Sequence, residues 1–438
     1  MNGGASSADL RRDPWLVAIA VGAFLLRLGW AGVAGVFSHG AADLQGDEGS
    51  YVELAQELRH DPVRFLFDDE RSLLRFPGQI AYLAAFGGSL AAPRLLNILW
   101  STASVVLAML LAGWSEGRRA ARLAGLAVAM SPQLIAAASS LATETPFTAL
   151  LLSGVASLVC AVGGTRRSAA CAALAGVAFG IASLFRPLAL VVAPAIAVVA
   201  TAGVLIDRHR LDGWRRAAWI AVAVSACVVL PVMVKNGVRF GRFGIANGLG
   251  AVMYLGAHPE TGGDDPWALG VALSWPPCAG DHHASDCDRV LLRQAVEWIR
   301  ADPAEFVARI PVKIHRAWIG NQREVFHPAR GLRDTTGLNW RGVTWRIASI
   351  VCAALLAGAF LWTLARGDWR LDPSSLAVVL TVAVLTLVSA LTFAIPRFGE
   401  PLLPCFAIAA AIAAARPGRL WPGWVLGAAL ALCTFLGP

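Results

Sequence analysis

The feature that most constrains this chain is a succession of apolar runs, each close to the length a helix needs to cross a bilayer. A hydrocarbon layer of about 30 Å takes roughly 20 residues of α-helix. Runs of that order lie near residues 14–37, 94–112, 120–138, 144–163, 169–185, 187–206, 217–234, 343–365, 374–395, 398–415 and 420–436. Of the 438 residues, 57% are hydrophobic and 15% charged, against about 25% charged in an ordinary soluble domain. The expected fold class is an all-α polytopic membrane protein with about 11 transmembrane helices. The first run is longer than the ~7–15 residues of a signal-peptide core, so it reads as a retained helix.

One further apolar stretch, 77–92, is short and holds Gly78, Gly87 and Gly88. Whether it spans decides the topology of everything after it, and the basic loops arbitrate. If it does not span and the N-terminus is cytoplasmic, the inner segments collect fifteen arginines, from Arg11 and Arg12 to Arg416 and Arg419, against seven acidic residues. That surplus equals the whole net charge of +8, as the positive-inside rule expects. The stretch 77–92 is therefore expected to be an interfacial or re-entrant helix on the outer face. The surplus is accounted for by membrane orientation, and no nucleic-acid partner is implied.

The expected organisation is an N-terminal transmembrane module over 1–235 with its first outer loop at 38–93, an outer-face region over 236–341, and C-terminal transmembrane helices over 342–438. Residues 38–76 carry nine acidic residues and four arginines, a net of −5. Six of the eight cysteines fall in apolar segments, whereas Cys278 and Cys287, with eight residues between them, sit in the long polar region. Outside the cytoplasm that pair suits a disulfide, and His282 and His283 between them leave a metal site as the alternative.

The first outer loop contains Gly46-Asp47-Glu48-Gly49-Ser50-Tyr51. Adjacent carboxylates just above a bilayer suit proton abstraction or the holding of a divalent cation; a merely solvated acidic loop is the plain alternative. Downstream come Arg94-Leu95-Leu96-Asn97, Ser131-Pro132, Thr143-Glu144, Arg186-Pro187, Lys235-Asn236 with Gly241-Arg242-Phe243, and Arg397-Phe398-Gly399-Glu400-Pro401-Leu402-Leu403-Pro404.

In this order and topology the segments resemble the membrane-embedded glycosyltransferases of GT-C type, in particular the protein O-mannosyltransferases and the lipid A aminoarabinose transferases. Their D-E-x-x-Y is matched by Asp47, Glu48 and Tyr51, and their late R-[YF]-x-x-P-x-x-P is nearly met from Arg397 to Pro404. The resemblance covers the first ~250 residues and resumes near 395, leaving 255–340 without a matching motif.

The resemblance implies a GT-C fold with interfacial helices in the outer loops. It also implies inverting transfer of a sugar from a polyprenyl-phosphate carrier to an acceptor hydroxyl at the outer face. The acceptor is a protein, a lipid or a polysaccharide, and the setting is a bacterial inner membrane. Asp47 is then the expected general base. Glu48 shares its proton, contacts the sugar or, with Asp47, binds a divalent cation. Tyr51 faces the sugar.

A lipid phosphate leaving group needs cations at headgroup level. Arg397 is the first candidate, its fork being suited to phosphate oxygens; Lys235 and Arg75 follow. Snorkelling to the interface is the alternative use of each. Arg186 reads as a donor-phosphate contact or a helix cap. Glu144 and the intramembrane Arg27 read as site residues or as partners inside the bundle, where charge is usually paired.

No G-x-x-x-x-G-K-[ST], G-x-G-x-x-G or H-E-x-x-H occurs, so ATP hydrolysis, Rossmann-type nucleotide-sugar binding and zinc proteolysis lack support. The competing class is a transporter or flippase of a lipid-linked sugar. That function calls for ionisable residues near the bilayer midplane, where this sequence offers only Arg27.

Overall fold

A computed structural model describes residues 10, 12–38, 40, 44, 46–162, 168–204, 208–261, 284–320, 333–334, 337–338, 340–367, 373–416 and 421–436. Among these residues β structure is confined to one antiparallel pair, β1 (Arg333–Asp334) with β2 (Gly337–Leu338). The other regular elements are helical, as the apolar runs require.

The chain begins with α1 (Pro14–Val33), whose first turn is capped by the Asp13 carboxylate accepting from the Trp15 N–H at 3.1 Å. Its inward face is Leu16, Ile19, Ala23, Arg27 and Ala31. Its outward face shows Trp15, Val17 and Leu25 more than half exposed. A polar residue inside and large apolar ones outside is the pattern of a helix solvated by lipid.

The loop after α1 folds into α2 (Asp47–His60), α3 (Pro62–Phe67) and α4 (Pro77–Ala84). With eight residues, α4 is about 12 Å long, well short of a bilayer. Next is α5 (Ala91–Ala129), broken at Glu116 and Gly117. Gly117 has φ +74° and ψ −163° there, a conformation open to glycine alone. Then come α6 (Pro132–Ala137), α7 (Glu144–Val162), α8 (Ser168–Phe185), α9 (Val192–Val204) and α10 (Arg208–Phe240).

The polar region that follows supplies α11 (Leu249–Ala257), α12 (Ser285–Ala301), α13 (Pro303–Ala308) and α14 (Ile310–Trp318). The C-terminal part is α15 (Trp340–Arg366), α16 (Pro373–Leu391), α17 (Leu402–Ala415) and α18 (Trp421–Leu436).

Seven of these helices are long and apolar enough to cross a membrane, and three shorter apolar ones lie at 187–203, 402–415 and 421–435. The eleven-run reading differs in its bookkeeping for a physical reason. The runs 94–112 and 120–138 lie on the two arms of α5, which folds back at Glu116 and Gly117 so that Gly125 packs on Met109, and the second run stops at Met130 because Pro132 starts a new helix.

The core is built on small residues. Gly154 leaves room for the Phe179 ring, and Gly358 lies against the backbone of Gly427. Close approach of this kind lets dispersion hold helices together where lipid removes the hydrophobic drive. Helix α17 is buried along almost its whole length.

Of the paired cysteines expected from the sequence, Cys287 is disulfide-bonded. Cys278, His282 and His283 lie outside the described residues.

Candidate active site

The site is organised by a buried turn, residues 138–143, between α6 and α7. Three first-loop or α5 side chains grip it. The Gln79 amide donates to the Leu141 carbonyl at 2.5 Å. The Asn97 amide donates to the Ser140 carbonyl at 2.5 Å. The Glu48 carboxylate accepts from the Leu141 N–H at 2.7 Å and the Ser140 hydroxyl at 2.8 Å. Hydrogen bonds to an ionised acceptor are the stronger kind, so Glu48 pins the first turn of α2 to the bundle. The same turn delivers Glu144 to the first turn of α7, where the helix dipole favours a carboxylate.

Arg397 arrives from the opposite end of the chain. The extended Ile395 and Pro396 turn it back before α17, and the Gln133 amide donates to the Pro396 carbonyl at 3.1 Å. The turn sits tight against α14 because Gly399 has no Cβ, which would strike the Ala317 carbonyl.

These elements bring together a chain of alternating charges. Arg397 Nη2 donates to Asp47 Oδ2 at 2.7 Å, and Arg397 Nε lies 3.1 Å from Glu144 Oε1. Arg186 Nη1 donates to the same Glu144 oxygen at 2.6 Å, and its guanidinium stacks 4.4 Å from the Phe398 ring centroid. Arg75 completes the series at 3.7 Å from Asp47 Oδ1, with Nε donating to the Ser50 hydroxyl at 2.9 Å. Glu144 is sealed, whereas the Asp47 side chain is 38% exposed.

Tyr51 is buried beside this series. Burial first, then the charges of Asp47 and Glu144, hold its phenol well above the ordinary value.

Of the residues expected from the sequence, Asp47, Tyr51, Arg75, Glu144, Arg186 and Arg397 therefore meet. Lys235 sits elsewhere: its ammonium donates to the Leu66 carbonyl at 3.0 Å and lies 5.3 Å from the Phe240 ring. Arg27 is a bundle staple. It donates to Ser101 Oγ at 2.7 Å and to the carbonyls of Ala23, Val128 and Ala129 at 3.1–3.2 Å.

Glu400 was not singled out in the sequence. It is buried, and burial first, then Glu144, push its carboxyl well above the usual carboxylate range against the pull of Arg397 and Arg186. A carboxylate between two prolines and an apolar helix was the available signal. Gln79 and Gln133 gave none, because their importance lies in which carbonyls they reach.

The Asp47–Glu48 pair does not fit a divalent cation as arranged. Asp47 is held by guanidiniums and Glu48 by N–H and O–H donors. Among the described residues no three His, Cys, Asp or Glu side chains converge.

Residues 79–234, about a third of the chain, match the model of the dolichyl-phosphate-mannose-protein mannosyltransferase family. No curated protein sequence matches the chain. Solved structures do. The archaeal oligosaccharyltransferase AglB from Archaeoglobus fulgidus, in complex with an inhibitory peptide and a dolichol-phosphate, superposes with a TM-score of 0.55 at 15% identity over 95% of this chain. ArnT from Cupriavidus metallidurans, bound to undecaprenyl phosphate, gives 0.54 at 16% identity over 97%. The chain has the GT-C fold.

It spans 56% of the AglB chain and 64% of the ArnT chain. A further structure of the Archaeoglobus fulgidus oligosaccharyltransferase, in complex with Zn and sulfate, gives 0.53 at 16% identity over 95% of this chain and 53% of its own. The fold that the motifs resembled is thus the one in which the described architecture finds its neighbours.

Proposed function

We propose that this protein is an inverting glycosyltransferase that moves a sugar from a polyprenyl-phosphate carrier to an acceptor hydroxyl at the outer face of a bacterial inner membrane. The observation that carries the reading is the Arg75–Asp47–Arg397–Glu144–Arg186 series. It offers one accessible carboxylate beside a guanidinium fork.

In this reading the acceptor hydroxyl gives its proton to Asp47 as its oxygen bonds to the anomeric carbon. The carbon–oxygen bond to the carrier phosphate breaks, and the phosphate leaves with the electron pair. General-base assistance of this kind contributes roughly 10²–10⁴-fold. Arg397 neutralises the leaving phosphate, Glu144 and Arg186 hold the fork in place, and Glu48 acts as a positioning residue for α2. Arg75 orients Asp47, and Tyr51 supports the sugar side of the site.

Arg397 donates to the Asp47 oxygen at 2.7 Å. A carrier phosphate competes for that fork, so its arrival frees the base it needs. Bound peptide in AglB and bound undecaprenyl phosphate in ArnT support a lipid-linked donor and leave a protein acceptor as one option beside a lipid or polysaccharide. A transporter is disfavoured because Arg27, the charge that the sequence places within the first span, is consumed by Ser101 and three carbonyls.

The test is a transfer assay on purified protein in nanodiscs, with a panel of radiolabelled polyprenyl-phosphate sugars and native membrane extract as acceptor. Label should pass to product with wild type and not with Asp47→Asn. Movement of labelled lipid across liposomes without transfer would favour the flippase instead.

A further inference from the structure

One buried cation stands outside the set used so far. Lys313 in α14 has no exposed surface, and its Nζ has no hydrogen-bond partner. The Phe306 ring centroid lies 4.3 Å away, and a ring face offsets only a small part of the cost of desolvating an ammonium.

The neighbouring charge is of the wrong sign. Arg309, one turn earlier, spends its guanidinium on the carbonyls of Ala257, His258 and Pro259 and on Glu305. Burial first, then Arg309, push the Lys313 ammonium down to about 8. The chain has only one other lysine, Lys235, and that one is paired with a carbonyl.

Position gives this orphaned charge its meaning. Lys313 and Ala317 are the buried residues of α14, one turn apart on one face. Ala317 presses on Gly399 and Gly320 packs on Pro396. Lys313 is thus four residues, about 6 Å along the helix, from the Ala317 that meets the turn carrying Arg397. An uncompensated ammonium on that face calls for an anion brought in from outside.

We infer that Lys313 is a second anion-binding residue of the donor site, receiving a phosphate ester between α14 and the Pro396–Gly399 turn. The inference rests on the glycosyltransferase reading only for the identity of that ester. Its chemistry is shared by a polyprenyl-phosphate carrier and by the headgroup of an anionic phospholipid.

The test compares wild type with Lys313→Met in detergent, reading thermal unfolding and affinity with added polyprenyl monophosphate or phosphatidylglycerol. A buried, unpaired charge destabilises the empty protein, so Lys313→Met is expected to unfold at an equal or higher temperature than wild type. Its affinity for polyprenyl monophosphate should fall at least tenfold, and the ligand-induced rise in Tm should shrink with it. If Lys313→Met does not fold, Lys313→Gln, which keeps a polar tip without charge, should show the same loss.

Unchanged polyprenyl-phosphate binding in the variant would overturn the inference and leave the glycosyltransferase reading standing. Wild-type binding of phosphatidylglycerol alone, lost in the variant, would uphold the anion site and remove the carrier from it. Binding of neither ester by wild type would overturn both.

Discussion

Arg27, midway along α1, spends its guanidinium on a hydroxyl and three carbonyls, all uncharged and all fixed by the helices that carry them. Arg397, in the turn before α17, is instead shared between two carboxylates, one sealed and one 38% exposed. The first arrangement is closed, since nothing can replace four internal partners at once. The second is exchangeable, because a phosphate can take the place of the exposed Asp47. Burial and partner type, rather than the presence of arginine, separate a staple from a binding group.

Four substitutions probe that contrast. Asp47→Asn has the largest expected effect, a loss of roughly 10²–10⁴-fold in transfer rate, with thermal unfolding little changed; a fully active variant would remove the proposed base. Arg27→Met is expected to cost about 2–4 kcal/mol by leaving buried carbonyls unpaired. It should be read as a lowered Tm with carrier affinity intact.

Arg397→Ala should weaken carrier binding and turnover by about 10–100-fold, in keeping with the loss of a charge-assisted pair. An effect on Tm alone would make Arg397 a second staple.

Glu400→Gln is the smallest and concerns pH. The folded-state value of Glu400 lies well above 4.5, so the folded protein binds its proton more tightly than the unfolded chain does. The stability this carboxyl contributes is complete below about 4.5 and is lost as pH rises through the folded value. Wild-type Tm should therefore fall relative to Glu400→Gln over that interval. A difference independent of pH would mean that Glu400 is ionised throughout.

The same contrast shows what could be read in advance. Apolar run lengths and the distribution of arginine gave the helical membrane class and kept 77–92 out of the span list, because both follow from the cost of placing polar groups in lipid. The run at 120–138 divides between two helices, since hydropathy does not register that Pro132 forces a new helix start. Asp47, Glu144, Arg186 and Arg397 were legible as charges at helix ends. Their pairing was not, because it joins residues up to 350 positions apart. Lys235 looked equivalent to Arg397 in sequence and differs only in what it meets. Glu48, next to Asp47, turned out to be pointed at a backbone turn.

The break in α5 has a mechanical consequence. Glu116 accepts from Arg416 Nε, just past the end of α17, at 2.6 Å, and Arg122 holds Asp13 before α1 at 2.8 Å. The fold-back that carries Glu116 lies roughly 37 Å along the first arm of α5 from Ala91, at the end of the bundle away from the Asp47 series. Three helices that frame the site are thus bolted together at their far ends by charge pairs. A machine that rocks to open alternately on both sides would have to break and remake those bolts in each cycle. A frame fixed at one end and dressed with loops at the other works on reagents that approach from a single side.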